Sequence, residues 1–222
     1  MYRVLFIDEQ QEDIDGFKDY IEEKDLEGIF EVLSMYPLEN LDKLVGEIMS
    51  AHIDAVITDF RLNEYKENID YNVPYDGAQL VEKMLDERED FPCFVLTSFD
   101  DEAVGKSEDV NIVYIKGILH GSEKETKAKA TFLDRLKNQI VHYRSKLKNA
   151  EARLMELLEK SKTEKLDAPE EEELLRLDSL IEKSLDKKHQ IPEAVKRTTE
   201  SQSLSELLKA VDELKKKLDG DE

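Results

Sequence analysis

Polar side chains that can carry out phosphoryl chemistry stand at the ends of four short apolar runs in the first half of the chain. These runs, which are rich in β-branched residues, stop at Asp8 and Glu9, at Asp59, at Thr97 and at Lys116. Apolar runs of this length are typical of buried strands in a parallel sheet. Because functional groups in such sheets gather at the carboxyl ends of the strands, we expect these five side chains to meet at one sheet edge.

This set of residue types suits the transfer of a phosphoryl group to a carboxylate. Asp59 can act as the nucleophile and become an aspartyl-phosphate. Asp8, Glu9 and Asp59, with a backbone carbonyl just after Asp59, can supply the oxygen ligands that Mg²⁺ prefers. Lys116 would balance the charge of the phosphoryl group, and the Thr97 hydroxyl would donate to one of its oxygens. Such positioning and charge balance supply most of the catalysis in phosphoryl transfer.

The elements that must position these residues alternate along the first half of the chain. Alternation of apolar strands with amphipathic helices predicts a parallel sheet with helices on both faces. The predicted strands lie near 2–8, 29–35, 53–59, 92–97 and 111–116. The predicted helices lie near 12–24, 38–51, 77–89 and 100–106.

The connection from Phe60 to Asp76 is long for a strand-to-helix loop, which usually takes 2–6 residues. It leaves directly from Asp59 and carries three tyrosines, Tyr65, Tyr71 and Tyr75. Long loops at this place in a fold often act as functional lids. A tolerated surface insertion is an equally good interpretation.

After Gly121 the sequence changes to the period of a long amphipathic helix. Apolar residues recur at alternating spacings of three and four, which is typical of a coiled coil. A helix over 123–161 would be roughly 55–60 Å long, more than one small domain can cover. We therefore expect a partner helix, and packing back onto the first domain is the alternative. The seam consists of Leu133, Leu136, Ile140, Tyr143, Leu147, Ala150, Leu154 and Leu157.

Two further helices are predicted in the tail. Asp167 or the residue after it caps a helix over about 169–188, and Glu residues in its first turn favour the positive end of the helix dipole. Residues 189–202 are interpreted as a linker. A capping box of Ser203 and Glu206 then opens a helix over about 203–218. The predicted domains are thus 1–120, a long helix over 121–165, and a helical tail over 166–222.

Composition and charge narrow the class of protein. The chain has 222 residues, a net charge of −21 and one cysteine, Cys93, which predicts a reducing cytoplasm and no disulfide framework. Residues 1–120 carry 10 Lys and Arg against 30 Asp and Glu, and residues 121–222 carry 22 against 23. Without a basic excess we expect no nucleic-acid partner. The chain shows neither a signal peptide nor an apolar run long enough to span a membrane, so we expect no membrane partner.

At its strand ends the first half resembles the response-regulator receiver domain of bacterial phosphorelays. The likeness covers residues 1 to about 120 and includes the ordered set described above, and Asp76-Gly77 resembles the Asp-Gly that opens the next helix in that family. It implies a five-stranded doubly wound, flavodoxin-like α/β fold followed by an all-α, coiled-coil-like extension. It also implies Asp59 as phosphoacceptor with Thr97 and Lys116. The implied Mg²⁺ ligands are Asp8, Glu9, Asp59 and the backbone carbonyl of Arg61.

The sequence departs from the family at several positions. Gly117 stands where a proline usually follows the lysine, and Val113 stands at the usual aromatic switch position, with Tyr114 displaced by one. Arg61 and Phe99 occupy positions that influence hydrolysis of the phosphoryl group in the family. Because Phe99 is bulky enough to shield that group from water, we expect slow self-dephosphorylation.

The resemblance implies a signalling protein rather than an enzyme. We expect Asp59 to be phosphorylated by a histidine kinase or a phosphotransfer protein. The output would be a homodimer through the 123–161 helix, or a protein effector bound by the tail. One alternative is a pseudo-receiver that acts only as a scaffold for helical assembly. Another is a phosphatase of the haloacid type, which would need a second aspartate where Arg61 stands.

Overall fold

The computed structural model of the chain describes residues 1–63, 68–97, 113–115 and 131–186. Several of the predicted features lie outside these ranges, so their predictions stay untested. They are the helix near 100–106, the start of the 123–161 helix, the linker at 189–202, the helix at 203–218, and the side chains of Tyr65, Phe99 and Lys116.

Parallel strands form the centre of the fold. Their bounds are Tyr2–Ile7 for β1, Phe30–Met35 for β2, Ala55–Asp59 for β3, Cys93–Thr97 for β4 and Val113–Ile115 for β5. They form one sheet in the order β2-β1-β3-β4-β5, and every neighbouring pair is parallel. The predicted α/β class with a parallel sheet is confirmed. Because the chain winds outward in both directions from the centre, a topological switch point lies between β1 and β3.

Five helices accompany the sheet in the described part of the chain. They are α1 at Gln11–Lys24, α2 at Leu41–Ser50, α3 at Gly77–Glu87, α4 at Phe132–Thr163 and α5 at Ala168–Asp186. The first three agree with the predicted helices to within three residues at each end. The predicted cap of α5 is confirmed as a capping box, because Asp167 Oδ1 accepts from the Glu170 amide at 2.9 Å and Glu170 Oε2 accepts from the Asp167 amide at 3.2 Å.

The sheet separates two apolar cores. Alternate residues of a strand point to opposite faces, so Leu5 and Ile7 belong to one core while Val4 and Phe6 belong to the other. The core that contains Leu5 lies under α2 and α3. The core that contains Val4 lies under α1 and the first turns of α4, where Leu136 is fully buried. Both faces of the sheet are therefore covered, as a doubly wound fold requires.

The chain divides into two compact units. Residues 1–86 and 90–143 form the first, here called the sheet unit. Residues 87–89 and 144–222 form the second, here called the helical unit. The first turns of α4 belong to the sheet unit, and the domain bounds predicted from the sequence stay a prediction.

Most of the apolar seam of the long helix is covered within this one chain, and the expected homodimer stays a prediction. Leu136 and Ile140 are buried in the core of the sheet unit. Ala150, Leu154 and Leu157 are buried in a separate core, where α4 packs with α5. A heptad stripe shows only that one helix face is apolar, and here two intrachain surfaces cover it.

Polar contacts add to the apolar packing in the helical unit. The Arg153 guanidinium donates from Nε and Nη2 to the two carboxylate oxygens of Glu173, at 3.1 and 2.8 Å. The hydrogen bonds from Arg153 hold the pKa of Glu173 below its ordinary value. In the described part of the chain, none of the helices combines the length and the apolarity needed to cross a bilayer.

Candidate functional site

The register of the sheet brings most of the predicted site residues to neighbouring strand ends. Ile7 of β1 pairs with Thr58 of β3. Asp8 and Asp59 come directly after these two residues, so they follow their strands at the same level of the sheet. Asp59 in turn pairs with Leu96 of β4, directly before Thr97. These ends flank the switch point between β1 and β3, where ligands bind in open α/β sheets. Lys116, the fifth predicted residue, lies outside the described part of the chain.

The polar side chains at this edge are almost completely buried. The exposed fraction is 0% for Asp8, 1% for Glu9, 6% for Asp59 and 1% for Thr97. Carboxylates are seldom buried in proteins, because the loss of hydration is costly unless other groups compensate for it. Three buried carboxylates at neighbouring strand ends make this edge of the sheet the candidate functional site.

Backbone amides orient two of these carboxylates. The Arg61 amide donates to Asp59 Oδ2 at 2.7 Å, and the Gln10 amide donates to Asp8 Oδ1 at 2.9 Å. In both cases the amide lies two residues beyond the carboxylate, in the turn that leaves the strand. Such local bonds from the backbone keep each carboxylate side chain in one orientation.

The start of α3 packs directly on the backbone of Asp59. The Gly77 amide donates to the Phe60 carbonyl at 2.8 Å. A Cβ placed on Gly77 would lie 2.0 Å from the Asp59 carbonyl oxygen, so only glycine fits. Asp76 caps the same helix, since its Oδ1 accepts from the Gln79 amide at 2.9 Å. The Asp-Gly step thus allows the helix to begin against the strand end.

The described parts of the long loop between Phe60 and Asp76 are packed into the sheet unit. Leu62, Ile69, Val73 and Tyr75 are buried in the core under α2 and α3. The Tyr75 hydroxyl donates to the Leu38 carbonyl at 2.5 Å. The loop is therefore more than a surface insertion, because its apolar residues contribute to a core.

Hydrogen bonds fix the loop to the segments on either side of it. The Tyr71 hydroxyl donates to the Pro37 carbonyl at 2.8 Å, and the Asn68 Oδ1 accepts from the Gln11 amide at 3.2 Å. Burial raises the pKa of both Tyr71 and Tyr75, so both hydroxyls stay protonated as donors over the physiological range. Asn68 ties the loop that leaves Asp59 to the start of α1, three residues beyond Asp8.

Sequence reasoning did not find these loop contacts, nor the steric reason for Gly77. The tyrosines of the loop were visible as a cluster, but their carbonyl partners lie more than 30 residues away in the chain. Asn68 carried no signal that would separate it from any other polar loop residue. Gly77 was marked only through the resemblance to the receiver family.

The donor set fits Mg²⁺ by its chemistry. Hard carboxylate and carbonyl oxygens are its preferred ligands, and Asp8, Glu9, Asp59 and the Arg61 carbonyl would hold it. Within the described ranges, no three carboxylate, histidine or cysteine residues form a ready-made metal cage. Mg²⁺ does not need one, because it usually binds one or two carboxylates and completes its shell with waters and substrate phosphate.

Comparison with known proteins gives structural neighbours but no sequence relatives. No protein-family model and no curated protein matches the sequence. Among solved structures, the RcsB response regulator of Salmonella typhimurium is 15% identical, with a TM-score of 0.41, and covers 93% of this chain and 91% of its own. An RcsB–DNA complex is 16% identical, with a TM-score of 0.41, and the match covers 93% of this chain and 91% of that chain. A third structure is RcsB from Salmonella enterica serovar Typhimurium, bound to promoter P1flhDC in the presence of phosphomimetic BeF₃⁻. It is 17% identical, with a TM-score of 0.39, and the match covers 93% of this chain and 91% of that chain.

These neighbours are two-component response regulators, and all three TM-scores lie below 0.5. The assignment of a receiver-like arrangement rests instead on the strand order and on the buried residues at the sheet edge. Two of the neighbours are bound to DNA, which overturns the expectation that excluded nucleic acid. That expectation used the net charge of the chain, whereas phosphate contacts depend on local groups of Lys and Arg.

Proposed function

We propose that this protein is a response regulator that accepts a phosphoryl group on Asp59 with the help of Mg²⁺. The observation that carries the proposal is the burial of Asp59 at the sheet edge, with Asp8 and Thr97 at the neighbouring strand ends. A nucleophilic carboxylate, further acidic groups and a hydroxyl are the groups that phosphoryl transfer to aspartate needs.

The transfer is a displacement at phosphorus. A carboxylate oxygen of Asp59 forms the new P–O bond, while the bond from phosphorus to the donor breaks and the donor leaves with that electron pair. The product is a mixed anhydride, which water later hydrolyses to phosphate and the original carboxylate. Mg²⁺, when bound, neutralises negative charge on the phosphoryl oxygens and on the carboxylates.

The residues of the chain orient the reacting groups and limit access of water. The Arg61 amide donates to Asp59 Oδ2. Because the carboxylate is already held in one orientation, it loses less conformational freedom when it reacts. The Thr97 hydroxyl lies on the adjacent strand end and would donate to a phosphoryl oxygen. Lys116 follows β5 in the sequence and would balance charge there. Burial of the site strengthens these electrostatic interactions.

The helical unit is proposed as the output of the switch. Phosphorylation of Asp59 would change what this unit exposes to a partner, and the chain would signal by binding rather than by catalysis. The single cysteine, Cys93, is buried and free, which suits the cytoplasm as the proposed compartment.

Incubation with acetyl phosphate and Mg²⁺, followed by intact-mass spectrometry, tests the proposal. We expect the wild type to gain the mass of one phosphoryl group, and Asp59→Asn to gain none. Asp19→Asn, which makes the same chemical change at an exposed position of α1, serves as the matched control and should be labelled like the wild type. Omission of Mg²⁺ should abolish the labelling.

Two results would contradict the proposal. Wild type that remains unlabelled, and that binds no beryllofluoride, would favour the pseudo-receiver scaffold. Labelling that persists in Asp59→Asn would place the phosphoacceptor elsewhere. The phosphatase alternative is disfavoured, because the position two residues beyond the nucleophile is Arg61, which cannot act as its general acid.

A further inference from the structure

Gln11, the first residue of α1, is hydrogen-bonded to the segments that leave the strands on either side of β1. Its backbone amide donates to Asn68 Oδ1, in the long loop after Asp59, at 3.2 Å. Its side-chain Oε1 accepts from the hydroxyl of Tyr36, the residue directly after β2. A second side-chain bond, from Gln11 Nε2 to Asp15 Oδ1 at 2.8 Å, keeps the Gln11 side chain along α1. Gln11 thus links the segments that follow β2 and β3.

The bond from Gln11 to Asn68 supplies a cap that the residue before α1 does not provide. The first amides of a helix have no carbonyl partner within it, and a side chain just before the helix usually accepts from one of them. The side chain of Gln10, at that position, makes no such bond to a described residue. Asn68 accepts from the first amide instead, although it lies 57 residues away in the chain. The long loop therefore contributes to the N-terminal capping of α1.

Tyr71 closes these contacts into a ring, here called the polar ring. Its hydroxyl donates to the Pro37 carbonyl at 2.8 Å. Pro37 directly follows Tyr36, and Tyr71 lies three residues beyond Asn68. Hydrogen bonds and short stretches of chain therefore form a closed path through Gln11, Asn68, Tyr71, Pro37 and Tyr36. Contacts in such a network support one another, because the segments remain joined through the other links when one bond opens.

The polar ring joins the two segments that carry the buried carboxylates of the site. Asp8 and Glu9 precede Gln11 by three and two residues, and the loop that holds Asn68 leaves β3 at Asp59. Negative charges at neighbouring strand ends repel one another, which favours a separation of the turn after β1 from the loop after β3. The bond between Gln11 and Asn68 connects the same two segments, so it opposes this separation.

We propose that the polar ring positions the turn of Asp8 and Glu9 for Mg²⁺, an inference that rests on the proposed phosphoacceptor function. Gln11 and Asn68 act here as positioning residues, through the backbone of that turn. A site that already has its binding arrangement reorganises less when the cation arrives, so it binds the cation more tightly. This role also accounts for the length of the loop, because a loop of the usual length of about 2–6 residues ends before Asn68.

Calorimetric titration of the full-length protein with Mg²⁺ tests the proposal. Asn68 is exposed, so Asn68→Ala leaves the cores intact. We expect this variant to bind Mg²⁺ about fivefold more weakly than the wild type, the factor that corresponds to one ordinary hydrogen bond. Tyr71→Phe should also weaken binding in the wild-type background. It should add little in Asn68→Ala, where the ring is already open.

Asn72→Ala is the matched control, because it makes the same chemical change in the same loop. The bond that it removes, from Asn63 Nδ2 to Asn72 Oδ1 at 3.1 Å, joins only residues of the loop. This variant should bind Mg²⁺ like the wild type. An equal weakening in Asn72→Ala and Asn68→Ala would overturn the inference, since any loosening of the loop would then have the same effect.

The rate of labelling by acetyl phosphate, measured over a range of Mg²⁺ concentrations, separates positioning from a general loss of structure. In Asn68→Ala, the Mg²⁺ concentration that gives half the maximal rate should rise about fivefold, while the rate at saturating Mg²⁺ stays at the wild-type value. A lower saturating rate with an unchanged Mg²⁺ requirement would contradict the positioning role.

The same two measurements distinguish this inference from the proposed function. Wild type that binds no Mg²⁺ and is not labelled would overturn the phosphoacceptor function and the role of the polar ring together. Wild type that binds Mg²⁺ and is labelled, with an Asn68→Ala protein that binds Mg²⁺ equally tightly, would overturn only the role of the polar ring.

Discussion

Gly77 lies against the carbonyl of Asp59 so closely that a Cβ at that position would be 2.0 Å from the oxygen. The two residues are 18 positions apart in the chain, and the long loop of residues 60–76, here called the exit loop, lies between them. This contact places the start of α3 at the candidate phosphoacceptor. It also makes Gly77 a position where one methyl group should have a large effect.

Gly77→Ala should therefore destabilise the protein. The new methyl group must displace backbone rather than a flexible side chain, and overpacking of this kind costs about 1–3 kcal/mol or more of unfolding free energy. Urea denaturation followed by circular dichroism measures the loss. Gly46→Ala is the matched control in the interior of α2, where nothing lies within 4 Å of the added Cβ. It should stabilise the protein by about 0.5–1 kcal/mol, through helix propensity. Equal effects of the two variants would contradict the close packing at Asp59.

Tyr75→Phe should weaken the attachment of the exit loop. The substitution removes the donor to the Leu38 carbonyl while leaving the buried ring in place, and the loss of one such hydrogen bond costs about 0.5–1.5 kcal/mol. Tyr71→Phe removes the equivalent bond to Pro37 at a more exposed ring, so we expect a smaller loss. Urea denaturation of both variants gives the comparison. A Tyr75→Phe protein as stable as the wild type would show that the hydroxyl contact is unimportant.

Leu154→Ala and Leu136→Ala should both destabilise the protein, through different cores. Both leucines are almost fully buried, Leu136 in the sheet unit and Leu154 in the helical unit. Truncation of a buried leucine costs about 2–5 kcal/mol. Val141→Ala is the control, because 40% of that side chain is exposed and the change should cost under about 1 kcal/mol.

Urea denaturation of the wild type and of the two leucine variants measures these losses. The same curves, recorded at several protein concentrations, test whether the apolar seam of α4 is covered within one chain. Because both leucines are buried within one chain, the midpoint of denaturation should not shift when the protein is diluted. A midpoint for wild type that rises with protein concentration, and that loses this dependence in Leu154→Ala, would instead show that the seam is shared between chains.

The helical unit should lose stability in acid through two glutamates. Hydrogen bonds from Arg153 and Lys160 lower the pKa of Glu173 and Glu170, respectively, below the ordinary value of 4.5. A carboxyl whose folded-state pKa is depressed stabilises the fold above its unfolded pKa. This contribution is then lost as the pH falls through the folded-state pKa. Stability should therefore decline as the pH drops below about 4.5.

Urea denaturation at pH 6 and at pH 3 measures this decline. The doubly substituted Glu170→Gln/Glu173→Gln protein should be less stable than the wild type at pH 6, and the difference should shrink at pH 3. Glu172→Gln, at an exposed position of the same helix, is the control and should follow the wild type at both pH values. A difference that stays constant with pH would mean that the two ion pairs do not contribute.

Much of the sheet and its candidate site could be predicted because both depend on short-range patterns. A run of β-branched and apolar residues predicts a buried strand, and its last residue is then known to within one or two positions. Asp8, Asp59 and Thr97 were placed in this way, and the register of β1, β3 and β4 brings their strand ends together. The parallel arrangement followed from alternation with helices, since each crossover returns the chain to the same edge.

The helical half was harder to predict, because an apolar stripe does not identify its partner. The spacing of Leu136, Ile140, Leu154 and Leu157 correctly indicated one apolar face on a long helix. It favoured a second chain, whereas the structure covers the first pair with the sheet and the second with α5. Both solutions bury the same side chains, so the hydrophobic effect alone does not distinguish them at the level of sequence.

The sequence by itself determined which chemistry the protein can offer: carboxylates, a hydroxyl and a lysine at the ends of buried strands. These assignments are local, since strand period and residue type decide them. Tertiary structure decided the contacts made across long separations, such as Gly77 with Asp59 and Glu89 with Lys183. Such contacts depend on which segments meet in space. The spacing of residues along the chain does not show which segments these are.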